Sequence, residues 1–258
     1  MSSVLADYIH DLEAMSIYPS TMFYKGNLSL LTNRKISIVG TRRPNIYTKL
    51  FTHRLSNELS KRGITIVSGA AMGVDAIAHK GVLKTNTIAV VANGLDIKYP
   101  RVNKQLISQI EKDGLMLSMF EDGYEARPYS FVQRNELVVA LGEILIVTQA
   151  DLNSGSLRSV EFAIKQNKKI YVLPHRIDES LGTQELLRKG LAHPIYNLES
   201  FFEELAIETS SSHFNDEIIK FCQSNPSYDD AVSHYGEKIF QYELENKIIV
   251  ENGRIIVR

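Results

Sequence analysis

The chain has 258 residues, a formal net charge of −1 at pH 7 and 44% hydrophobic residues, values that are ordinary for a globular protein. It contains no apolar run long enough to span a bilayer and no charged-then-apolar leader, and its one cysteine, Cys222, excludes an internal disulfide. We therefore expect a cytosolic protein with one large domain and a small appendage.

Positive charge is concentrated in one early segment, although the total charge is near zero. Residues 34–54 hold six Lys or Arg and no acid, whereas residues 199–217 hold six acids and no Lys or Arg. A basic face of this kind is typical of phosphate binding, although chance clustering on a solvated surface gives the same count.

The first predicted elements lead from a short helix to a buried strand. Residues 1–16 carry apolar side chains near helical spacing, Phe23 begins a short strand, and the β-branched run at 36–39 predicts the first core strand. A helix is predicted over 46–62 and ends at Gly63, the residue type that most often follows a helix.

Short apolar strands then alternate with helices, which predicts an α/β fold with a parallel sheet. Because right-handed crossovers put the carboxyl ends of such strands at one edge, the turns at Gly40, Ser68, Asn93, Ser118 and Ser154 are expected to share one rim. The segment 119–130 is predicted to be irregular. The predicted strands are 64–67, 87–91, 115–118, 144–147 and 170–173. One helix is predicted to begin at residue 74, and four more are predicted over 100–112, 131–141, 157–167 and 183–189.

The residues after 207 predict a second, smaller domain. A polar stretch at 208–213 is typical of a linker. Residues 214–258 predict three short helices and then a hairpin with an Asn-Gly turn, which favours a small C-terminal winged-helix-like domain. The domain organisation is thus predicted as a short N-terminal extension (1–33), a core (34–207), the linker and this last domain.

The turn after the 36–39 strand is the first candidate phosphate site. It contains Gly40, Thr41, Arg42 and Arg43. Glycine lets the backbone approach a ligand, a threonine hydroxyl donates a hydrogen bond, and a guanidinium binds phosphate through two bonds. A structural role also fits, in which one arginine caps a helix or pairs with an acid, but we expect at least one to face the ligand.

The turn after the 64–67 strand is the second candidate. Ser68, Gly69 and Gly73 are expected to present backbone donors to phosphate, or else to form only a tight strand-to-helix turn. Asp75 is expected to fix this loop by accepting N–H groups, and His79 to contact Asp75 one helical turn later. Without a nucleophile or metal set nearby, we interpret this pair as structural rather than catalytic.

Residues 127–156 supply the remaining candidates. Phe131 is a platform on which any base can stack, although an aromatic at a helix start is as often part of the core. Arg134 is a candidate phosphate ligand, Asn135 is expected to orient its loop, and Arg127 to extend the basic track. A turn of small residues contains Asn153, Ser154, Gly155 and Ser156. It is expected to serve as an anion site, as a plain helix cap, or as both.

Motifs in a familiar order run from about residue 18 to residue 196. They are Phe23 to Leu31, Ile38 to Arg42, Ser68-Gly69, Gly73, Asp75, Ala78-His79, Gly81, Asn93 to Asp96, Tyr99-Pro100, Asn103, Phe131-x-x-Arg134-Asn135, Ser154 to Ser156 and Gly182-Thr183. In these the chain resembles the DNA-processing protein A (DprA/Smf) family of bacterial transformation proteins. The resemblance implies an extended Rossmann fold that binds single-stranded DNA without strong sequence preference, protects incoming strands and helps load a RecA-type recombinase. It also implies a homodimer that uses no cofactor and catalyses no known reaction.

Four positions depart from the family pattern. Met72 and Glu136 stand where the family usually carries arginine, Gln149 where glutamate is common, and His175 where glycine is usual. These departures bear on the details of DNA contact rather than on the fold.

Two other functions remain open from the sequence, a nucleotide-processing enzyme and a small-nucleotide sensor. Related α/β enzymes that cleave nucleoside monophosphates carry a P-G-G-x-G-T loop, which neither Pro174 with its neighbours nor the distant Gly182-Thr183 matches. Tight, salt-insensitive binding of a mononucleotide is the property that distinguishes both from a DNA-binding protein.

Overall fold

A computed structural model of the chain describes residues 2–82, 85–207, 217–244, 247–251 and 253–257. The chain divides into two compact units, Met1–Glu208 and Thr209–Arg258. The predicted linker at 208–213 lies outside the described residues.

Nine strands of the first unit form one sheet in the order β1-β2-β6-β5-β4-β3-β7-β8-β9. β2 runs antiparallel to both of its neighbours, and all other neighbouring strands are parallel, which confirms the predicted α/β class. The strands are β1 (Ser3–Val4), β2 (Phe23–Gly26), β3 (Lys35–Val39), β4 (Thr65–Ser68), β5 (Thr87–Val91), β6 (Leu115–Ser118), β7 (Leu145–Val147), β8 (Ile170–Val172) and β9 (His193–Pro194).

Helices connect these strands, and side-chain caps fix the starts of two of them. The Asn45 side chain accepts a hydrogen bond from the Thr48 N–H (2.8 Å), and Asn197 caps the last helix in the same way. Gly63, with φ of 77°, follows the first helix as predicted. The helices are α1 (Ile46–Lys61), α2 (Val74–Gly81), α3 (Lys104–Asp113), α4 (Pro128–Leu141), α5 (Gly155–Lys165), α6 (Leu181–Arg188) and α7 (Leu198–Glu204).

Both faces of the sheet are buried, because apolar side chains alternate between them. On β3, Ile36 and Ile38 pack with residues of α1, α2 and α7, whereas Val39 points to the opposite face and packs with α4, α5 and α6. Such two-sided burial is typical of parallel sheets and explains why the strands read as continuous apolar runs.

The chain reverses its direction of travel across the sheet at β3. It proceeds from β3 through β4 and β5 to β6, and then returns to place β7 against the other side of β3. The crossovers that leave β3 and β7 therefore diverge, and a crevice opens between the carboxyl ends of these two strands. This is the position at which open α/β sheets bind ligands.

The predicted helix over 1–16 is wrong. The segment forms β1 and then a 3-10 turn over His10–Ala14, because the Leu5 N–H donates to the Met22 carbonyl (2.8 Å) and draws the chain alongside β2. β2 in turn pairs along the whole of β6, so residues 3–26 extend the same sheet as the core.

Several other elements also differ from the prediction. α4 begins at Pro128 rather than at 131, since proline at the first helical position suits a helix start. Residues 198–204 form α7, and 193–194 form β9, for which the sequence predicted no element. Residues 101–103 form a 3-10 turn before α3 rather than its first turn.

The second unit contains three helices followed by a hairpin within its described residues. Its core includes the buried Cys222 together with Ile218, Ile239 and Ile255. This is the predicted order of elements, and the winged-helix assignment stays a prediction. The elements are α8 (Glu217–Cys222), α9 (Tyr228–Tyr235), α10 (Glu237–Leu244), β10 (Ile248–Glu251) and β11 (Arg254–Val257).

Candidate nucleic-acid interface

An open cavity of about 610 Å³ lies at the point where the chain reverses, beside the carboxyl ends of β3 and β7. It brings together the turn after β3, the middle of α4 and the start of α5. The turns after β5 and β6 lie at the same edge of the sheet, where the Ser118 hydroxyl donates to the Asn93 carbonyl (2.7 Å). The predicted rim at the carboxyl ends of the parallel strands is therefore present. The lining residues are Val39, Gly40, Thr41, Arg42, Arg43, Asp75, Phe131, Val132, Arg134, Asn135, Asp151, Ser154, Gly155, Ser156, Arg158 and Ser159.

The turn after β3 holds two exposed arginines on a well-fixed backbone. The Thr41 N–H donates to the Gln149 carbonyl (2.8 Å), and the Thr41 hydroxyl accepts from the Arg43 N–H (3.2 Å). A Cβ on Gly40 would lie 2.7 Å from a Val74 methyl, so glycine is required for close packing on α2. Arg42 and Arg43 form no ion pair with a described residue, which leaves both guanidinium groups available to an anion.

Three polar side chains in the segments that follow β7 and β8 form hydrogen bonds beside this turn. Gln149 Oε1 accepts from the Asn45 N–H (3.0 Å), and Glu179 accepts from the Asn45 amide (3.3 Å). His175, fully buried, lies with Nε2 2.8 Å from the Thr148 carbonyl. Gln149 and His175 are two of the departures from the family pattern, and both act here as supports of the turn.

The turn after β4 is packed from within. The Ser68 hydroxyl donates to the Ile38 carbonyl (2.7 Å), and a Cβ on Gly69 would meet the Arg134 guanidinium at 1.6 Å. Gly73, with φ of 79°, packs against Thr41 and Arg42, where a Cβ would lie 2.4 Å from the Thr41 carbonyl. These glycines are therefore required by packing, and Ser68 and Gly69 are buried. Their predicted role as phosphate donors does not fit this burial.

Arg134 lies inside the protein beneath that turn. It is 5% exposed, its Nη1 donates to the Gly69 and Val90 carbonyls, and it lies 3.9 Å from Asp75 Oδ2. Burial lowers the pKa of Arg134 and raises that of Asp75, although each partner's charge opposes the shift. Arg134 thus supports the turn, and its predicted role as a phosphate ligand does not fit its burial.

Asp75 lies beside the turn that it is predicted to order, and no hydrogen bond joins it to His79 within the described part of the chain. The backbone N–H groups of Gly69 and Ala71 lie beside the Asp75 carboxylate and oppose the rise in its pKa that burial causes. His79 instead places Nδ1 2.6 Å from the Thr87 hydroxyl and so ties α2 to β5. Burial, with a smaller contribution from the charge of Arg134, lowers the pKa of His79 to about 3, which keeps the ring neutral.

Phe131 forms an aromatic wall of the cavity. Its ring is half-buried, with the guanidinium carbons of Arg42 and Arg134 6.0 and 5.9 Å from its centroid and the Tyr99 ring 6.2 Å away. Asn135, one turn later on α4, lines the same cavity. Arg127 is exposed before α4, 5.9 Å from the centre of the Tyr124 ring, and does not line the cavity.

The third turn offers backbone donors to the cavity. α5 begins at Gly155 after Ser154, whose side chain makes no capping bond and whose buried hydroxyl has no partner among the described residues. The first N–H groups of the helix and this hydroxyl together form a typical anion site. Asn153, with φ of 62°, is exposed beside the turn and does not line the cavity.

Sequence reasoning missed Arg158, which adds a cation to the cavity one turn into α5 while pairing with Glu161 (3.0 Å). The available signal was its spacing of four residues from Ser154. The departure at Glu136 lies elsewhere, since its carboxylate accepts from the Ser16 N–H (2.7 Å) and holds the N-terminal segment.

Residues 3–206 match the family model described as DNA recombination-mediator protein A. The chain belongs to this family. The resemblance in its motifs to DprA/Smf proteins is thereby confirmed.

Relatives and solved structures of this family match over most of the first unit. DNA processing protein DprA of Bacillus subtilis is 36% identical over 197 residues, which are 74% of this chain and 66% of that protein. The structure of DNA processing protein A from Helicobacter pylori, described with its single-stranded DNA binding mode, is 40% identical with a TM-score of 0.78, covering 80% of this chain and 96% of that one. DprA from Streptococcus pneumoniae is 33% identical with a TM-score of 0.73, covering 79% and 74%.

The chain is shorter than its curated relatives, of which it spans between 41% and 68%. Across the part of the chain that the structure describes, no helix is long and apolar enough to cross a membrane. The same residues contain no group of three or more His, Cys, Asp or Glu placed to hold a metal ion.

Proposed function

We propose that this protein binds single-stranded DNA in the cavity at the carboxyl ends of β3 and β7. The observation that carries the proposal is the pair of exposed arginines, Arg42 and Arg43, which form no ion pair with any residue that the structure describes. They line the same cavity as the start of α5, which has no side-chain cap. Two anion sites and an aromatic wall in one cavity match a phosphodiester backbone with exposed bases. The Helicobacter pylori relative, whose structure is described with a single-stranded DNA binding mode, supports the same ligand here.

Each part of the cavity has a distinct task in this proposal. Arg42 and Arg43 bind one phosphate through charge-assisted hydrogen bonds. The N–H groups at the start of α5 and the Ser154 hydroxyl bind another. Phe131 stacks on a base, and because every base has an aromatic face, the contact is independent of sequence.

The proposed biological role is the one that the resemblance to DprA/Smf proteins implies. We propose that the protein acts in natural transformation, protects incoming single strands and helps to load a RecA-type recombinase. It works as a homodimer in the cytoplasm, without a cofactor and without catalysing a reaction. The relatives named DNA processing protein support the role in DNA processing.

The second unit contributes a protein contact rather than a DNA contact in this proposal. Residues 214–258 hold eight acids against five Lys or Arg, fewer cations than a DNA-reading helix requires. Truncation after Glu208 is therefore expected to leave the affinity for single strands within a few-fold, and a hundredfold loss would contradict it.

A gel-shift experiment with the full chain tests the proposed ligand. Single-stranded and blunt duplex oligonucleotides of equal length are titrated across a salt series. We expect tighter binding of the single strand and an affinity that falls with rising salt, because phosphate contacts release counterions. Equal affinity for the duplex, or tight and salt-insensitive binding of a mononucleotide, would overturn the proposal.

A further inference from the structure

We propose that Tyr99 forms a second stacking position, which takes the base next to the one held by Phe131. The inference rests on the proposed binding of single-stranded DNA and extends its site beyond the cavity. The ligand of this position is an unpaired base of any sequence.

The two rings are neighbours with different exposure. The centroids of Tyr99 and Phe131 lie 6.2 Å apart and their planes are inclined by 56°, so neither ring covers the face of the other. Tyr99 is 48% exposed and lies outside the cavity lining, whereas Phe131 forms the cavity wall. A strand whose base stacks on Phe131 therefore meets a second open aromatic face as it leaves the cavity.

The backbone that carries Tyr99 is fixed on both sides. The Asn103 amide donates to the Ala70 and Ala71 carbonyls, both at 3.0 Å, and so joins this segment to the turn after β4. The Asn93 amide donates to the Ile97 carbonyl (2.7 Å). A platform held in this way loses little backbone freedom when a base binds, so more of the stacking energy remains as affinity.

The charge around Tyr99 suits a phosphate backbone. Arg101 and Lys104 follow within five residues, and both are exposed. The acid of the same segment, Asp96, is directed to another loop, where its Oδ1 accepts from the Gly123 N–H (2.8 Å).

The other aromatic group of this region fits a base poorly. Tyr124 already stacks on Phe120 with centroids 4.4 Å apart, and its hydroxyl is hydrogen-bonded to that of Tyr129. Three exposed acids, Glu121, Asp122 and Glu125, flank that pair and repel phosphate. Tyr99 lacks both features and keeps an open aromatic face beside the cavity.

The experiment compares substitutions of exposed tyrosines in the full chain. Tyr99→Ala is expected to weaken binding of a short single-stranded oligonucleotide about fivefold or more, with the slope of log affinity against log salt unchanged. Tyr99→Phe is expected to bind like the parent, since the ring and not the hydroxyl makes the contact. Tyr196→Ala, which removes an 80% exposed tyrosine beyond β9, serves as the matched control and is expected to have no effect.

Photocross-linking gives an independent readout that does not depend on a variant folding. The parent is irradiated with an oligonucleotide carrying 5-iodouracil, and the cross-linked peptide is identified by mass spectrometry. Cross-links at both Tyr99 and Phe131 are expected. If Tyr99 is never cross-linked and folded Tyr99→Ala binds like the parent while Phe131→Ala binds weakly, the inference fails and the proposed function stands. If the parent binds no single-stranded DNA, both fail.

Discussion

The turns after β3 and β4 have the same local plan but use arginine in opposite ways. Each follows a buried parallel strand and precedes a helix, and each contains a glycine that packing requires. The first turn presents Arg42 and Arg43 outward with no ion-pair partner among the described residues. The second closes around Arg134, which is buried and neutralised by Asp75. An arginine beside a glycine turn therefore indicates a ligand site only when its side chain is known to be exposed.

The largest effect is expected from breaking the buried pair. Arg134→Met leaves the Asp75 carboxylate buried without its partner, which typically costs about 3–5 kcal/mol. Chemical denaturation should show that loss in the free energy of unfolding of the first unit. The double variant Asp75→Asn/Arg134→Met is the control and should recover part of the stability. If Arg134→Met keeps full stability but loses DNA affinity, the roles of the two turns are reversed.

The pH dependence of stability should come next, through His79. Its pKa is about 3 in the folded protein against a usual 6.5, so the unfolded chain binds a proton first as the pH falls. The associated stability is present above pH 6.5 and lost between 6.5 and 3. Between pH 7 and pH 5 the parent should lose about 2 kcal/mol more than His79→Gln. Parallel stability curves for the two proteins, measured by denaturation at each pH, would contradict the burial of a neutral ring.

Removing the aromatic wall should affect binding without changing charge. Phe131→Ala is expected to cost about 1–3 kcal/mol of affinity for single-stranded DNA through lost stacking, with the salt slope unchanged. Phe131→Tyr is the conservative control and should retain most of the affinity. Parent-like binding by Phe131→Ala would assign this ring to the core.

The smallest effect in affinity is expected from the exposed turn itself, and its signature is in the salt dependence. Arg42→Ala or Arg43→Ala should flatten the slope of log affinity against log salt by about 0.7, the contribution of one phosphate on a single strand. At 0.1 M salt this corresponds to about fivefold weaker binding of all sequences alike. Arg188→Ala, an exposed arginine on α6 that pairs with Glu185, is the matched control. Two arginine variants with the parent slope would remove the first turn from the site.

Much of the first unit was predictable because its strands are continuous apolar runs bounded by glycine turns. The same regularity predicted that Gly40 and Ser154 would meet at one edge, since parallel strands leave little freedom in where their ends lie. The N-terminal segment was not predictable in this way. Its apolar residues near helical spacing fit a helix locally, and only pairing with β2, which is itself held against β6 far along the chain, makes β1 extended.

The sequence did not reveal which side chains of the site are buried and which are exposed. Arg42 and Arg134 both stand beside glycine turns, and nothing in their neighbours distinguishes an exposed guanidinium from one that bonds to two carbonyls. The supports at Gln149 and His175 were visible only as departures from a pattern. Their task depends on Asn45 and Thr148, which belong to other elements.

The central position of β3 has a consequence for synthesis of the protein. Ser37 pairs with Val67 on one side and with Leu145 on the other, so one edge of this strand gains its partner soon and the other only after most of the unit has left the ribosome. Until then, the nascent chain exposes an apolar strand edge of the kind that pairs with other chains. Completion of the sheet is thus expected to be slow, and the cell must shield that edge until β7 arrives.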